Sequence, residues 1–342
     1  MKKTRIESLG EFGLIRHLTE NIKTQNESTV YGIGDDAAII NYNNKESLVS
    51  TDLLIEGIHF NLVYTPLKHL GYKSIIVNLS DIYAMNGKPE QVVVSIAISS
   101  KFTVEAIEEL YEGIKEACRV HHVDLVGGDT TSSLTGLVIS VTAIGSVEKG
   151  KAIKRNSANE TDLICVSGDL GAAYLGLQIL EREKAIFMKD PEIQPKLTDY
   201  EYVLQRQLKP EARGDIVSLL KEHEITPSAM IDISDGLSSE ILHISNQSNL
   251  GCRIYQGKIP IRYEARRTAD EINIDPIIAA MNGGEDYELL FTVPVSQHDK
   301  LTAIPGISII GHMTNAETGY YLVPENGEKV KIEAQGWNPI KS

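Results

Sequence analysis

Cysteine is scarce in this chain, with three in 342 residues, Cys118, Cys165 and Cys252. They lie far apart and form no C-x-x-C pair. That excludes a disulfide frame or thiolate zinc site and reads as reduced thiols in the cytoplasm. Long apolar runs are missing too: no stretch of about 18 apolar residues exists, so no membrane span is expected. The opening MKKTRIESLGEFGLIRHL is broken by Glu7, Gly10 and Glu11 and lacks the apolar centre of a secretory signal. Basic charge is outnumbered, 33 Lys and Arg against 47 Asp and Glu, for a net charge of −14. Such a balance argues against binding to a nucleic-acid backbone. Familiar nucleotide motifs are lacking. None of Gly87-Lys88, Gly150-Lys151 and Gly257-Lys258 is followed by Ser or Thr, so there is no Walker A loop, and no H-R-D or D-F-G signature occurs.

What is present suggests two domains on length alone. Short apolar stretches at 37–42 and 47–51, separated by NNKE, read as a hairpin. Folding back there sets Asp35-Asp36 beside Ser50-Thr51-Asp52. Thr65-Pro66 as a start and Asn86-Gly87-Lys88-Pro89 as a stop bound one long and largely buried helix over 67–85, although SIIVNL by itself also reads as a strand. On it Asn78 and Asp81 share a face, and a carboxylate in so apolar an element requires a partner or a cation. A strand over 91–98, an amphipathic helix over 103–120 and strands at VDLVGG and LVISVTAIG follow. The polar, basic segment VEKGKAIKRNSANE marks a boundary near residue 150, giving domains 1–150 and 151–342. The second half alternates strands with helices, including one near 267–281, which argues for an α/β fold.

GIGDDAAII, at 32–40, imitates a dinucleotide-binding fingerprint, but its adjacent aspartates would repel a pyrophosphate and AAIINY reads as a strand. The acids fit another pattern. An apolar run, one or two small residues and then Asp recurs as LVSTD, LVGGD, CVSGD and MIDISD, with VNLSD and GGED as variants. One such Asp is ordinarily a turn or cap residue. Several at strand ends, if they share a cleft, are different: two carboxylates about 5 Å apart repel by roughly 3 kcal/mol at an effective dielectric of 20. Carboxylate and hydroxyl oxygens without Cys or paired His suit Mg²⁺, and Mg²⁺ bridges substrate phosphates. A nucleotide is then the natural partner.

GIGDDAA, STD followed by EGIHF, NLSDIYAMNGKP, GGDTTSS, IKRNSA, IDISDGL and GGEDYELLF occur in this order over nearly the whole chain. With the opening GEFGLI they resemble the thiamine-monophosphate kinases, within the superfamily of aminoimidazole ribonucleotide synthetase. The resemblance implies an α+β N-terminal domain whose mixed sheet pairs in a homodimer, and an α/β C-terminal domain closing over the cleft. It implies ATP-dependent conversion of thiamine monophosphate to thiamine diphosphate with several Mg²⁺. By position, Asp36, Ser50, Thr51, Asp52, Asp81, Asp129, Asp232 and Asp235 resemble metal ligands. Tyr111, Gly128, Asp129, Arg155 and Ser234 resemble nucleotide contacts, and His59, Glu285 and Trp337 the positions facing the thiamine phosphate.

The residues leave alternatives open. His59 also reads as a structural histidine, Arg155 as a solvated surface arginine, and Trp337 as an anchor for the tail. Asp35 and Glu56 fit ligation or an outer role, and SGDLGAA around Asp169 and Gly171 reads as a helix start in preference to a phosphate nest. A phosphate acceptor is mostly dianionic at neutral pH, so the expected mechanism is direct in-line transfer without a general base. Another ATP enzyme of the superfamily, a metal-dependent phosphohydrolase and a nucleotide-sensing binding protein are the competing readings.

Overall fold

The structure, a computed structural model, describes residues 29–31, 38–42, 44–99 and 101–334. Strands β1 (Thr29–Tyr31), β2 (Ala38–Tyr42) and β3 (Lys45–Ile55) open it. β2 and β3 pair antiparallel from Tyr42↔Lys45 to Ala38↔Val49, the expected hairpin. β3 runs four residues past the expected end at 51, because period-2 burial continues through Leu54. With β4 (Lys88–Ile98), β5 (Asp124–Ser132) and β6 (Val138–Glu148), the sheet order is β1-β2-β3-β6-β4-β5. It is mixed, since β4 and β5 pair in parallel and the other pairs are antiparallel.

Two helices cover one face of this sheet: α1 (Leu67–Ala84) and α2 (Val104–His121). They match the expected 67–85 and 103–120, and the Thr103 side chain accepts the Ala106 N–H at 3.3 Å as the α2 cap. The helices touch backbone to backbone. A Cβ on Gly71 would lie 1.9 Å from the Leu110 carbonyl oxygen, and one on Gly113 would lie 1.9 Å from that of Lys68. Thirteen of the 18 residues of α1 are buried, so it is covered on more than one side. Beyond the first sheet it meets the second.

The second sheet comprises β7 (Leu163–Ser167), β8 (Ala229–Asp232), β9 (Leu250–Tyr255), β10 (Leu289–Val293), β11 (Ile307–Asn315), β12 (Tyr320–Val323) and β13 (Val330–Lys331), in the order β13-β12-β9-β11-β7-β10-β8. Its helices are α3 (Ala172–Lys189), α4 (Glu201–Leu208), α5 (Gly214–Glu222), α6 (Leu237–Ser248), α7 (Tyr263–Glu271), α8 (Pro276–Asn282) and α9 (His298–Thr302). Strand–helix alternation would favour neighbouring parallel strands. Here β10 returns between β7 and β8, antiparallel to both, so only β9 and β12 pair in parallel. The single helix expected near 267–281 is two. Asp275 caps the second by accepting the Ile277 N–H at 2.8 Å, and Pro276 stands at its first position, where its missing N–H costs nothing.

Candidate active site

The site forms where β3, α1 and the end of β8 converge. Alternation along β3 turns Ser50 and Asp52 toward α1 and Thr51 toward the sheet's other face. There the Thr51 hydroxyl donates to the Val141 carbonyl at 2.9 Å and accepts from Thr142 at 3.1 Å. Thr51 therefore does not join the acids through its side chain, contrary to the sequence expectation, because a strand cannot aim three consecutive side chains one way. Ser50 donates to a carboxylate oxygen of Asp81 on α1. Asn78, fully buried one turn earlier, accepts the Asp52 N–H at 3.0 Å and donates to the Ser74 carbonyl at 3.0 Å. Ser80 reaches the other way, donating to Asp232 at 2.6 Å across to the second sheet. Two polar residues of one apolar helix, Asn78 and Ser80, thus fix acids from two sheets.

After Asp232 the chain turns through Ser234 and Asp235 into α6. Gly236 has φ 117° there, and a Cβ would meet the Asn282 backbone at 2.9 Å. The buried Glu240 accepts the Asp235 N–H at 3.1 Å, a reach-back like that of a capping box. Burial, then the charge of Asp235, pushes the Glu240 carboxyl well above its usual range. The segment 284–288 runs alongside: Glu285 N–H donates to the Ser234 carbonyl at 2.7 Å and Tyr287 N–H to that of Ile233 at 2.9 Å. Glu285 and Tyr287 hold left-handed φ of 58° and 52°, each a cost of order 1 kcal/mol. This backbone sends alternate side chains to opposite sides. Tyr287 enters the first core, whereas Asp286 and Glu288 meet Arg206 and Arg213 of the second half.

Burial, then the charge of Asp232, raises the Asp52 carboxyl to about 6. Asp232 is itself raised by burial, although Ser80 and the Arg155 guanidinium pull it down. These are facing acids short of positive charge. Among the described residues no three His, Cys, Asp or Glu side chains form a ready metal cage. An oxygen-lined pair of carboxylates nevertheless fits Mg²⁺, which keeps several waters and takes one or two carboxylates from protein.

The remaining expected residues distribute unevenly. The charge of Arg155 lowers both Asp232 and His243, after burial has acted on each, so its guanidinium lies near both. Glu285 is held by Lys73 at 2.8 Å and by the Gln207 amide at 2.6 Å. His59 accepts the Ile55 N–H at its Nδ1 (3.0 Å), and burial lowers its pKa against the opposing charge of Glu285. Its imidazole is both structural and close to Glu285. Sheet register sets Gly128 in the row of Asp52, through Val94 and Val141. Asp129 falls in the next row with Ser95, Ser140 and Leu53, on the face that Thr51 occupies. Within one chain it is turned away from Asp52, again by alternation. Tyr111 packs half-buried against the first core on α2. Glu56 accepts the Leu137 N–H at 2.8 Å, a structural duty. Gly171, φ 83°, begins α3 as read from SGDLGAA, and Asp169 accepts the Tyr202 hydroxyl. Asp35, Asp36 and Trp337 lie outside the described residues.

Sequence reasoning did not pick out Lys73, Ser80, Gln207 or Tyr287. For Lys73 the signal was available: a charged residue inside an apolar helix must be paired.

A model of the AIR synthase related protein N-terminal domain matches residues 34–147. Thiamine-monophosphate kinase of Bacillus subtilis is 33% identical over 97% of this chain and 100% of that protein. The Aquifex aeolicus protein of the same name is 35% identical over 97% and 99%. Among solved structures, AaThiL complexed with AMPPCP and TMP superposes with a TM-score of 0.83, at 32% identity and 99% coverage of both chains. Hydrogenase maturation protein HypE in complex with ATP, 17% identical with a TM-score of 0.70 over 99% of this chain, shares the fold. The chain belongs to the thiamine-monophosphate kinase family.

Proposed function

We propose that this protein transfers the terminal phosphoryl group of ATP to thiamine monophosphate, yielding thiamine diphosphate and ADP. The observation that carries the reading is the pair Asp52 and Asp232, brought from two sheets to one helix by Asn78 at 3.0 Å and Ser80 at 2.6 Å, with the charge of Arg155 acting on Asp232. Asp52 and Asp232 would hold Mg²⁺, with Ser50, Asp81 and Asp235 near them; Asp36 and Asp129 join by family position. Held there by Asp52 and Asp232, Mg²⁺ would supply charge neutralisation for the phosphates.

The chain's own residues do the rest. Arg155 offers a planar guanidinium to phosphate oxygens where charge builds up in transfer, with Gly128, Ser234 and Tyr111 assigned beside it to the nucleotide. Glu285, fixed by Lys73 and Gln207, and His59 border the acceptor position, and Trp337 is assigned there by the family resemblance. No side chain is required as base, because the acceptor phosphate is already dianionic. Transfer is direct, without a phosphoenzyme.

Residues 1–150 form the metal, nucleotide and pairing domain in this reading, and 151–342 the domain that closes over the cleft. Support comes from two separate sheets, each with its own core. The chain works as a homodimer. All nine residues of the edge strand β5 are exposed among the described residues, including Leu125 and Val126, and a second copy would cover this edge. Val126→Lys should shift sedimentation from dimer to monomer. Three buried free thiols agree with a reducing cytoplasm; no described helix is long and apolar enough to cross a membrane.

Mass-resolved products from protein, ATP, Mg²⁺ and thiamine monophosphate test the assignment. Thiamine diphosphate should appear one-for-one with ADP. Orthophosphate without thiamine diphosphate would overturn it.

A further inference from the structure

A second cleft, of about 900 Å³, lies over β7 and β11 in the second sheet, and none of its lining residues belongs to the site around Asp52 and Asp232. Its floor is apolar: Leu163 and Ile309 are half-buried on neighbouring strands. Tyr255 stands beside His312 with ring centres 5.8 Å apart and its hydroxyl 3.3 Å from Nδ1. The rim carries Lys258, from the turn after β9, and Arg266, from α7; both are exposed.

The charge of this cleft runs against that of the protein. Acids outnumber bases 47 to 33 in the chain, yet every charged residue lining the cleft is basic. Neither Lys258 nor Arg266 makes an ion pair among the described residues; the Arg266 Nε donates to the Ile261 carbonyl at 3.3 Å. His298 at the edge pairs with Asp299 at 3.1 Å, and that carboxylate points fully into water. His312 is held toward its neutral form by burial and then by the charge of Arg253, which adds to the positive field. Two cations from separate elements, one a planar fork and one a compact ammonium, suit a group with three anionic oxygens better than a lone carboxylate. Nothing here resembles the acid-lined active site, which calls for a metal to receive phosphate.

We propose that this cleft is a second binding site, for a small organic phosphate whose phosphoryl group lies between Lys258 and Arg266 and whose flat apolar body rests on Leu163 and Ile309 beside Tyr255. The inference stands independently of the reaction assigned above, since it rests on other residues.

Pyridoxal phosphate tests it directly, being an aromatic phosphate whose aldehyde condenses with a lysine amine with loss of water. Borohydride then reduces the imine to a stable amine, and peptide mapping identifies the lysine. The comparison probe is 5-deoxypyridoxal, the same aldehyde without the phosphate. Lys258 should be labelled at least tenfold faster by the phosphate probe than by the comparison. Inorganic pyrophosphate should protect it, and Arg266→Gln on the exposed face of α7 should abolish the preference. Equal labelling by both probes, labelling of Lys258 no faster than of other exposed lysines, or indifference to Arg266→Gln would each overturn the proposal. Site-resolved mapping keeps any labelling at the active site separate.

Discussion

Glu288 is the charge on which the 284–288 segment hangs, and Glu288→Gln measures that. Its carboxylate, 1% exposed, meets Arg206 at 3.1 Å, Arg213 and the Ser167 hydroxyl. The two arginine side chains are 14% and 16% exposed, so removing the anion strands cations that water reaches poorly. Breaking a buried pair from one side costs about 3–5 kcal/mol. The lower end applies here. Arg213 keeps its two-pronged contact with Asp215 at 2.9 and 2.8 Å, Arg206 keeps Asp286 at 3.9 Å, and glutamine keeps the shape. About 3 kcal/mol should lower the melting temperature by roughly 6–12 °C in a unit of this size, read by calorimetry with circular dichroism as a second probe. Arg213→Gln added to Glu288→Gln should recover part of the loss, because it removes one of the stranded charges. A loss below about 1 kcal/mol would refute the reasoning, since charges that cost so little to strand are not desolvated.

Other outcomes follow from the same geometry. Asp232→Asn should cut turnover by at least ~100-fold, beyond the effect of an outer-shell change, while leaving stability equal or higher, because it removes a buried, repelled acid; a parallel loss of folding would contradict it. Ser50→Ala, which frees Asp81 from its hydrogen bond, should impair turnover far more than Thr51→Val, whose hydroxyl lies on the opposite face; equal effects would mean that strand alternation does not separate them. His243 is pushed down to about 4 by burial and then by Arg155. Its contribution to stability is therefore complete above pH 6.5 and is lost as pH falls through about 4, up to roughly 3 kcal/mol. His243→Gln should flatten that acid-side slope in denaturant titrations, and an unchanged slope would count against the burial.

Local pattern made much of the fold legible. Period-2 apolarity gave the β2–β3 hairpin, and the Thr-Pro start with the Asn-Gly-Lys-Pro stop bounded α1 to within one residue. Pro276 was equally visible, yet one helix was expected where α7 and α8 form; an Asp-Pro pair inside a helical pattern is a start signal that periodicity alone conceals. Among site residues, Asp52 and Asp235 could be read because small residues before an acid recur at strand ends, Asp81 because it is a carboxylate in an apolar helix, and Ser50 and Asp232 through the family resemblance. Thr51 and Asp129 show the limit. Family position, and for Asp129 the recurring small-residue-then-Asp pattern, placed them with the acids, whereas alternation on a strand turned their side chains to the other face.

Sequence by itself determined the elements, the polar positions in an apolar helix and the family, since each is a matter of residue type and spacing. Only the tertiary structure decided that α1 lies between two sheets. Asn78 and Ser80 thereby hold Asp52 and Asp232 within reach of each other's charge. It also decided that Lys73 neutralises Glu285, and that Asp286 and Glu288 face away from the site toward two arginines. Such contacts join residues far apart in the chain, 152 positions for Ser80 and Asp232. Burial and pairing between elements select them, and neither leaves a mark in local sequence.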